Sequence, residues 1–219
     1  MTFKNRISAG ERLAVLLREY ETPDTLIVSI PRGGVIVAYP VAIALNVPLQ
    51  VLCAKKIGAP YNPEFAIGAI VTDGEPVIAP WAYDYFDGID EYITKETKKL
   101  KVACKHYQDI FNREQEILSY KGKTVIIIDD GIATGMTTYA AIRTLRIHNP
   151  AKIILAVPVI SAQTAKELSK EVDFLITIIA PHDLNAVGQY YDDFRQVKDE
   201  EVLEVMGILK KRNKVITSK

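Results

Sequence analysis

Apolar residues follow two spacings along this chain. Leu26–Ile30, Leu49–Ala54, Val125–Asp129, Ile153–Val159 and Phe174–Ile179 are short, nearly unbroken runs. Runs of that length and evenness predict strands buried on both faces. Between several of them the apolar positions recur at helical spacing. Val35–Leu45 follows the first run, Thr138–Ile147 the third and Ala162–Glu171 the fourth. This alternation predicts a doubly wound α/β fold, a largely parallel sheet with helices on both faces. Ahead of it, Ser8 with Glu11 three residues later reads as a capping box before Leu13, Leu16 and Leu17. A helix is expected over residues 8–20, stopped by Thr22-Pro23-Asp24.

Two stretches break the rhythm. Ile89–Leu118 carries Leu100, Ala103, Tyr107, Ile110 and Ile117 on one stripe, with Lys98, Lys99, Lys101 and Lys105 largely off it. It predicts a long amphipathic helix inserted into the core, its lysines forming a solvated face. From Ala180 onward, Pro181, Gly188 and paired tyrosines mark a loop-rich tail before a last helix near Glu200–Leu209.

At 219 residues the chain suits a single domain, 1–219, with room for a sizeable core. Its 27 basic and 27 acidic residues cancel, which leaves no electrostatic footprint for duplex nucleic acid. Only two cysteines occur, Cys53 and Cys104, without metal-ligand spacing, so neither a disulfide framework nor a zinc site is expected. Arg6, Glu11 and Arg12 interrupt the apolar residues at the start, and no run approaches a membrane span. A cytoplasmic protein with no membrane partner is expected.

The chemistry concentrates in Val125–Thr138, whose strand ends in two carboxylates, Asp129 and Asp130. In open α/β sheets ligands bind beyond the carboxyl ends of strands. Adjacent carboxylates there can accept charge-assisted hydrogen bonds from neighbouring sugar hydroxyls. The next residues suit a phosphate: Gly131 and Gly135 free the backbone N–H groups, Thr134, Thr137 and Thr138 offer hydroxyls, and a helix begins with its positive end toward the loop. The segment has neither the lysine of a Walker A loop nor the G-x-G-x-x-G spacing of a dinucleotide fold.

This segment resembles the signature of type I phosphoribosyltransferases, which bind 5-phosphoribosyl-1-pyrophosphate (PRPP). The resemblance implies that Asp129 and Asp130 hold the ribose 2- and 3-hydroxyls, while Gly131, Ala133, Thr134, Gly135, Met136, Thr137 and Thr138 wrap the 5′-phosphate. It further implies a core over about 22–180 and a hood from about 1–21 and 181–219. In that family the loop after the first core strand handles pyrophosphate. Here it reads Ser29-Ile30-Pro31-Arg32-Gly33-Gly34, making Arg32 and Gly33 candidates. Lys56, in a stretch read as the end of the second strand, and Glu64, in a turn-rich loop behind it, match a basic residue and a mobile loop that closes over PRPP. In Ala186–Arg195 the pattern is similar to a purine-type hood, which makes Arg195 a pyrophosphate candidate and Tyr190 or Tyr191 a base-stacking one; two tyrosines packing the hood on the core fit equally.

The FKNR start, PRGG, KKIG, DDGIATG and VGQYY together resemble bacterial phosphoribosyltransferases whose acceptor is not settled. Such a pentosyltransferase moves phosphoribose from PRPP to a purine or pyrimidine base and releases pyrophosphate, with Arg32, Lys56, Asp129 and Asp130 as the catalytic set. Mg²⁺ is the implied cofactor, held mainly through PRPP with Asp129 and Asp130 in reach, and a homodimer is the implied assembly. One position departs: 6-oxopurine enzymes carry an aspartate base three residues after the acidic pair, and here Ala133 stands there. A methyl group accepts no proton, which puts guanine and hypoxanthine transfer in doubt. The rival function is a non-catalytic PRPP- or nucleotide-sensing regulator on the same fold.

Overall fold

The computed structural model describes residues 2–72, 74–113 and 117–217, apart from the side chains of Glu64 and of residues 213–217. In chain order the elements are α1 (Arg6–Leu16), β1 (Thr25–Ser29), α2 (Gly33–Leu45), β2 (Leu49–Val51), β3 (Ala54–Ala59), β4 (Asn62–Val71), β5 (Val77–Ile78), α3 (Pro80–Tyr85), α4 (Ile89–Phe111), β6 (Thr124–Ile128), α5 (Met136–Ile147), β7 (Lys152–Val159), α6 (Ala162–Leu168), β8 (Phe174–Ile179) and α7 (Asp199–Thr217).

Five strands form a parallel sheet in the order β2-β1-β6-β7-β8. Because successive side chains point to opposite faces, the continuous apolar runs feed two cores at once. Ile27, Ile126, Ile128 and Ile154 meet α2 on one face. On the other, Leu26, Val28, Val125, Ile127 and Leu155 meet Ala140, Ala141, Ile142 and Leu145 of α5. This is the doubly wound architecture expected from the alternation. The strand order reverses between β1 and β6, so the loops after these two strands open side by side at the switch point, where such sheets bind ligands.

Three readings of the sequence are corrected. Ser8 is not the cap of α1. Asn5 is: its side chain accepts from the Ser8 amide while the Ser8 hydroxyl takes the Asn5 amide, so the reciprocal pair sits three residues earlier. The long inserted helix ends at Phe111, and Ile117 lies beyond it, exposed, rather than on its buried stripe. Finally, the run read as Leu49–Ala54 stops at Val51. Lys56 therefore lies not at the end of a core strand but on β3, which pairs antiparallel with β4 in a separate three-stranded sheet of order β3-β4-β5. That sheet has its own small core, where Ile57, Ile67 and Ile70 pack on Ala82, Ile89 and Ile93.

The chain ends do more than form a hood. Leu13, Ala14 and Leu17 at the start and Val202, Met206 and Leu209 near the finish join the α2-side core. The segments expected to form a hood meet the end of β7 in a cluster of Phe3, Ala9, Val159 and Tyr191, with Leu184, Val187, Tyr190 and Phe194 packed against it and a backbone bridge between Phe3 and Tyr191. No helix among the described residues is long and apolar enough to cross a membrane.

Candidate functional site

Neighbouring strands β1 and β6 deliver the two loops that make the site. Ile30 donates its amide to the Ile128 carbonyl at 3.2 Å, and the Ser29 hydroxyl reaches the same carbonyl at 3.1 Å, so the strand ends are locked together. Beyond β6, Asp129 turns its Oδ1 back to accept from the Asp130 amide at 2.8 Å. Asp129 keeps a partial opening to solvent although protein surrounds its carboxylate. Burial pushes that carboxyl well above the usual carboxylate range, and the Asp130 charge beside it adds to the push. Burial raises Asp130 as well, but a guanidinium opposes it.

That guanidinium belongs to Arg6, which the sequence reading did not single out. Its Nε donates to Asp130 Oδ2 at 2.7 Å, with the two side chains only 9% and 18% exposed. Its Nη1 donates to the Arg195 carbonyl at 2.9 Å, and its plane lies 3.9 Å from the Phe194 ring centre. One signal was available: Arg6 shares the buried face of α1 with Ala9, Gly10, Leu13 and Ala14, and a charge on an apolar stripe requires a partner.

Gly33 explains the closeness of the two loops. A Cβ built there would lie 1.9 Å from Asp130 Oδ2 and 2.8 Å from Arg6 Nε. Any side chain would displace the ion pair. Arg32, just before α2, is half exposed, with Nη1 3.7 Å from Asp199 Oδ1; the Pro31–Arg32 peptide is cis.

The loop after the carboxylates is pinned by its neighbours. Ile132 exchanges backbone hydrogen bonds with Val159 and Ser161, the Thr164 hydroxyl donates to the Ala133 carbonyl, and Val187 of the hood closes over Gly131. Gly135 takes φ +74°, a left-handed conformation that favours glycine, and starts α5 with no side chain capping its first turn. The first amides of a helix lack intrahelical partners, so this end is available to an anion. Thr137 and Met136 are half-buried here, Ala133 and Thr134 exposed. Thr138 is buried, and its hydroxyl has no protein partner.

The remaining candidates separate. Tyr191 is buried, its ring centre 5.3 Å from that of Phe3 and 4.8 Å from that of Phe194, and its hydroxyl donates to the Asp130 carbonyl at 2.6 Å. It therefore packs the hood onto the core, and its ring is not presented to a base. Burial, with Asp130 nearby, pushes its phenol pKa up. Tyr190 is half-buried in the same cluster. The Arg195 guanidinium is bidentate to Glu201 at 2.7 and 2.9 Å, and this pairing holds Glu201 down at about 2. Lys56 is exposed on β3 opposite Ala69, and the Glu64 side chain lies outside the described residues. Among the described residues no group of three or more His, Cys, Asp or Glu is placed to hold a metal.

The chain has known relatives in sequence and fold. The family model described as phosphoribosyl transferase domain matches residues 3–194. Two Mycobacterium tuberculosis proteins, from strains H37Rv and CDC 1551 and each named "Putative phosphoribosyl transferase", are 34% identical over 204 residues, or 92% of this chain and 45% of theirs. The chain thus spans about half the length of these curated relatives. Among solved structures, TT1426 from Thermus thermophilus is 35% identical with a TM-score of 0.79, over 94% of this chain and 98% of that one. The AQ2163 protein of Aquifex aeolicus, 15% identical, shares the fold at a TM-score of 0.52 over 84% and 78%.

Proposed function

This chain belongs to the phosphoribosyl transferase domain family, and on that premise we propose that it transfers 5-phosphoribose from PRPP to a nitrogen base and releases pyrophosphate. One observation carries the reading. Two carboxylates at the end of β6 stand one short loop before an uncapped helix N-terminus that holds a buried, unpartnered Thr138 hydroxyl. That is a place for sugar hydroxyls followed, one loop away, by a place for a phosphate.

In this reading Asp129 and Asp130 accept from the ribose hydroxyls, and ligand donors offset the cost of keeping two buried carboxylates ionised side by side. Amides of the Gly131–Thr138 loop and the Thr138 hydroxyl bind the 5′-phosphate. Arg32 and the Gly33 turn face the pyrophosphate, joined by Lys56 from the β3–β4 hairpin. A nitrogen lone pair then forms the bond to C1 of the ribose as the C1–O bond breaks; pyrophosphate leaves with the C1–O electron pair, and the N–H proton of the base passes to water. The protein's share is orientation and stabilisation of the departing anion. Mg²⁺ fits this donor set only as an ion that brings most of its ligands with PRPP: two adjacent carboxylates make no cage, and the ion when bound would neutralise pyrophosphate charge.

A non-catalytic PRPP or nucleotide sensor is the second reading. It is favoured by the arginines, since Arg32 and Arg195 both lie against carboxylates, Asp199 and Glu201. A pyrophosphate-release assay with PRPP, Mg²⁺ and a panel of bases separates the two. Release is expected with at least one base, and guanine and hypoxanthine are expected to be poor acceptors because Ala133 accepts no proton. PRPP binding without release from any base would decide for the sensor.

A further inference from the structure

We propose that Arg6 is a positioning residue for the donor site: one guanidinium holds Asp130 and the hood in a single arrangement, so that seating the hood and recognising the ribose hydroxyls become one event. The inference rests on the phosphoribosyl-transfer reading and adds to it a residue from outside the loops that carry that reading.

Three chain-remote segments converge on this side chain. Arg6 opens α1, Asp130 lies 124 residues later, and the Arg195 carbonyl 189 residues later. A buried guanidinium is tolerated only when its donors are met, and here Nε goes to the carboxylate, Nη1 to the hood backbone, and the flat face to Phe194. The fork makes these contacts simultaneously; a lysine ammonium has no such plane. The contact with Asp130 is made through Oδ2, so one carboxylate oxygen is fixed by the guanidinium. Gly33 presses from the pyrophosphate loop, leaving no room for the pair to swing that way. The Tyr191 hydroxyl holds the Asp130 carbonyl from the hood side, so the same residue is gripped at backbone and side chain by elements that meet only in the folded hood.

The test compares ribose 5-phosphate with 2-deoxyribose 5-phosphate, titrated calorimetrically into wild type, Arg6→Gln, Arg6→Lys and Phe194→Leu. These probes differ by one hydroxyl and need no acceptor base. Wild type is expected to prefer the ribose compound by about tenfold, the worth of one charge-assisted hydrogen bond. In Arg6→Gln the preference should collapse to about twofold or less while affinity for the deoxy compound changes little. Arg6→Lys should recover part of it, and Phe194→Leu should lose part with Arg6 intact. A purely structural role would lower the melting temperature and leave the preference unchanged; that result, or a wild type that binds both sugars equally, overturns the inference. If Arg6→Gln does not fold, the Arg6→Lys and Phe194→Leu arms still decide it. A wild type that binds neither these sugars nor PRPP would instead remove the functional reading itself.

Discussion

Asp129 shows what a buried carboxylate beside a second one costs the folded protein. Its folded-state pKa lies above the ordinary 3.8, so between those two values the folded chain holds a proton that the unfolded chain has released. Stability contributed by this group is therefore lost as pH rises through that window. Replacing it with asparagine keeps an oxygen for the Asp130 amide and removes the ionisation. Asp129→Asn should melt higher than wild type at pH 7, by about 2–4 °C, the shift that ~1 kcal/mol gives a chain of this size. The difference should close as pH falls toward 3.8. Calorimetric melts at a series of pH values check this, and a variant that melts lower at every pH would contradict it. Asp130 is the opposite case, because its charge is paired with buried Arg6. Removing the carboxylate there strands a guanidinium, so it is the poorer probe.

Among the elements, α1 now carries more than its apolar stripe suggested. Its cap, Asn5, is adjacent to Arg6, so the start of the helix and the aim of the guanidinium are fixed by neighbouring residues. Asn5→Ala should destabilise the fold by about 1 kcal/mol, lowering the melting temperature by about 2–4 °C; an unchanged melt would show that the cap is not what holds this end. The central strands were legible because burial on both faces leaves an unbroken apolar run, as in Val125–Ile128 of β6; the edge strand Phe174–Ile179 matches its run residue for residue although it is only partly buried. The β3–β4 hairpin was not legible. Lys55, Lys56, Pro60 and Pro63 give it the composition of a loop, and its register shifts around Gly58, where the Pro63 backbone comes too close for a side chain. The two carboxylates and the uncapped start of α5 stood out as a candidate site because they are contiguous in sequence. The pairing of Arg6 showed only as a charge on an apolar stripe, and Tyr191 stayed open between packing and stacking, because the partner of each lies more than 60 residues away.

For the molecule as a whole, the two carboxylates, the Arg32–Gly33 turn and the start of α5 lie at the switch point between β1 and β6, while Lys56 stands apart on the separate β3-β4-β5 sheet. The arginine loop follows one strand and the carboxylates the other, so the sheet order alone sets them side by side. No contiguous motif names an acceptor base, and Tyr190, the remaining stacking candidate, is half-buried. The chain also spans only 45% of the length of its curated relatives, so what those longer proteins do as wholes does not name the acceptor here. The most direct measurement of the central claim is therefore on the donor: isothermal titration of PRPP with Mg²⁺ into wild type and Asp129→Asn. Saturable one-site binding to wild type, weakened at least about tenfold in the folded variant, is the expected result. Equal affinity in the two proteins, or no binding to wild type, would contradict it.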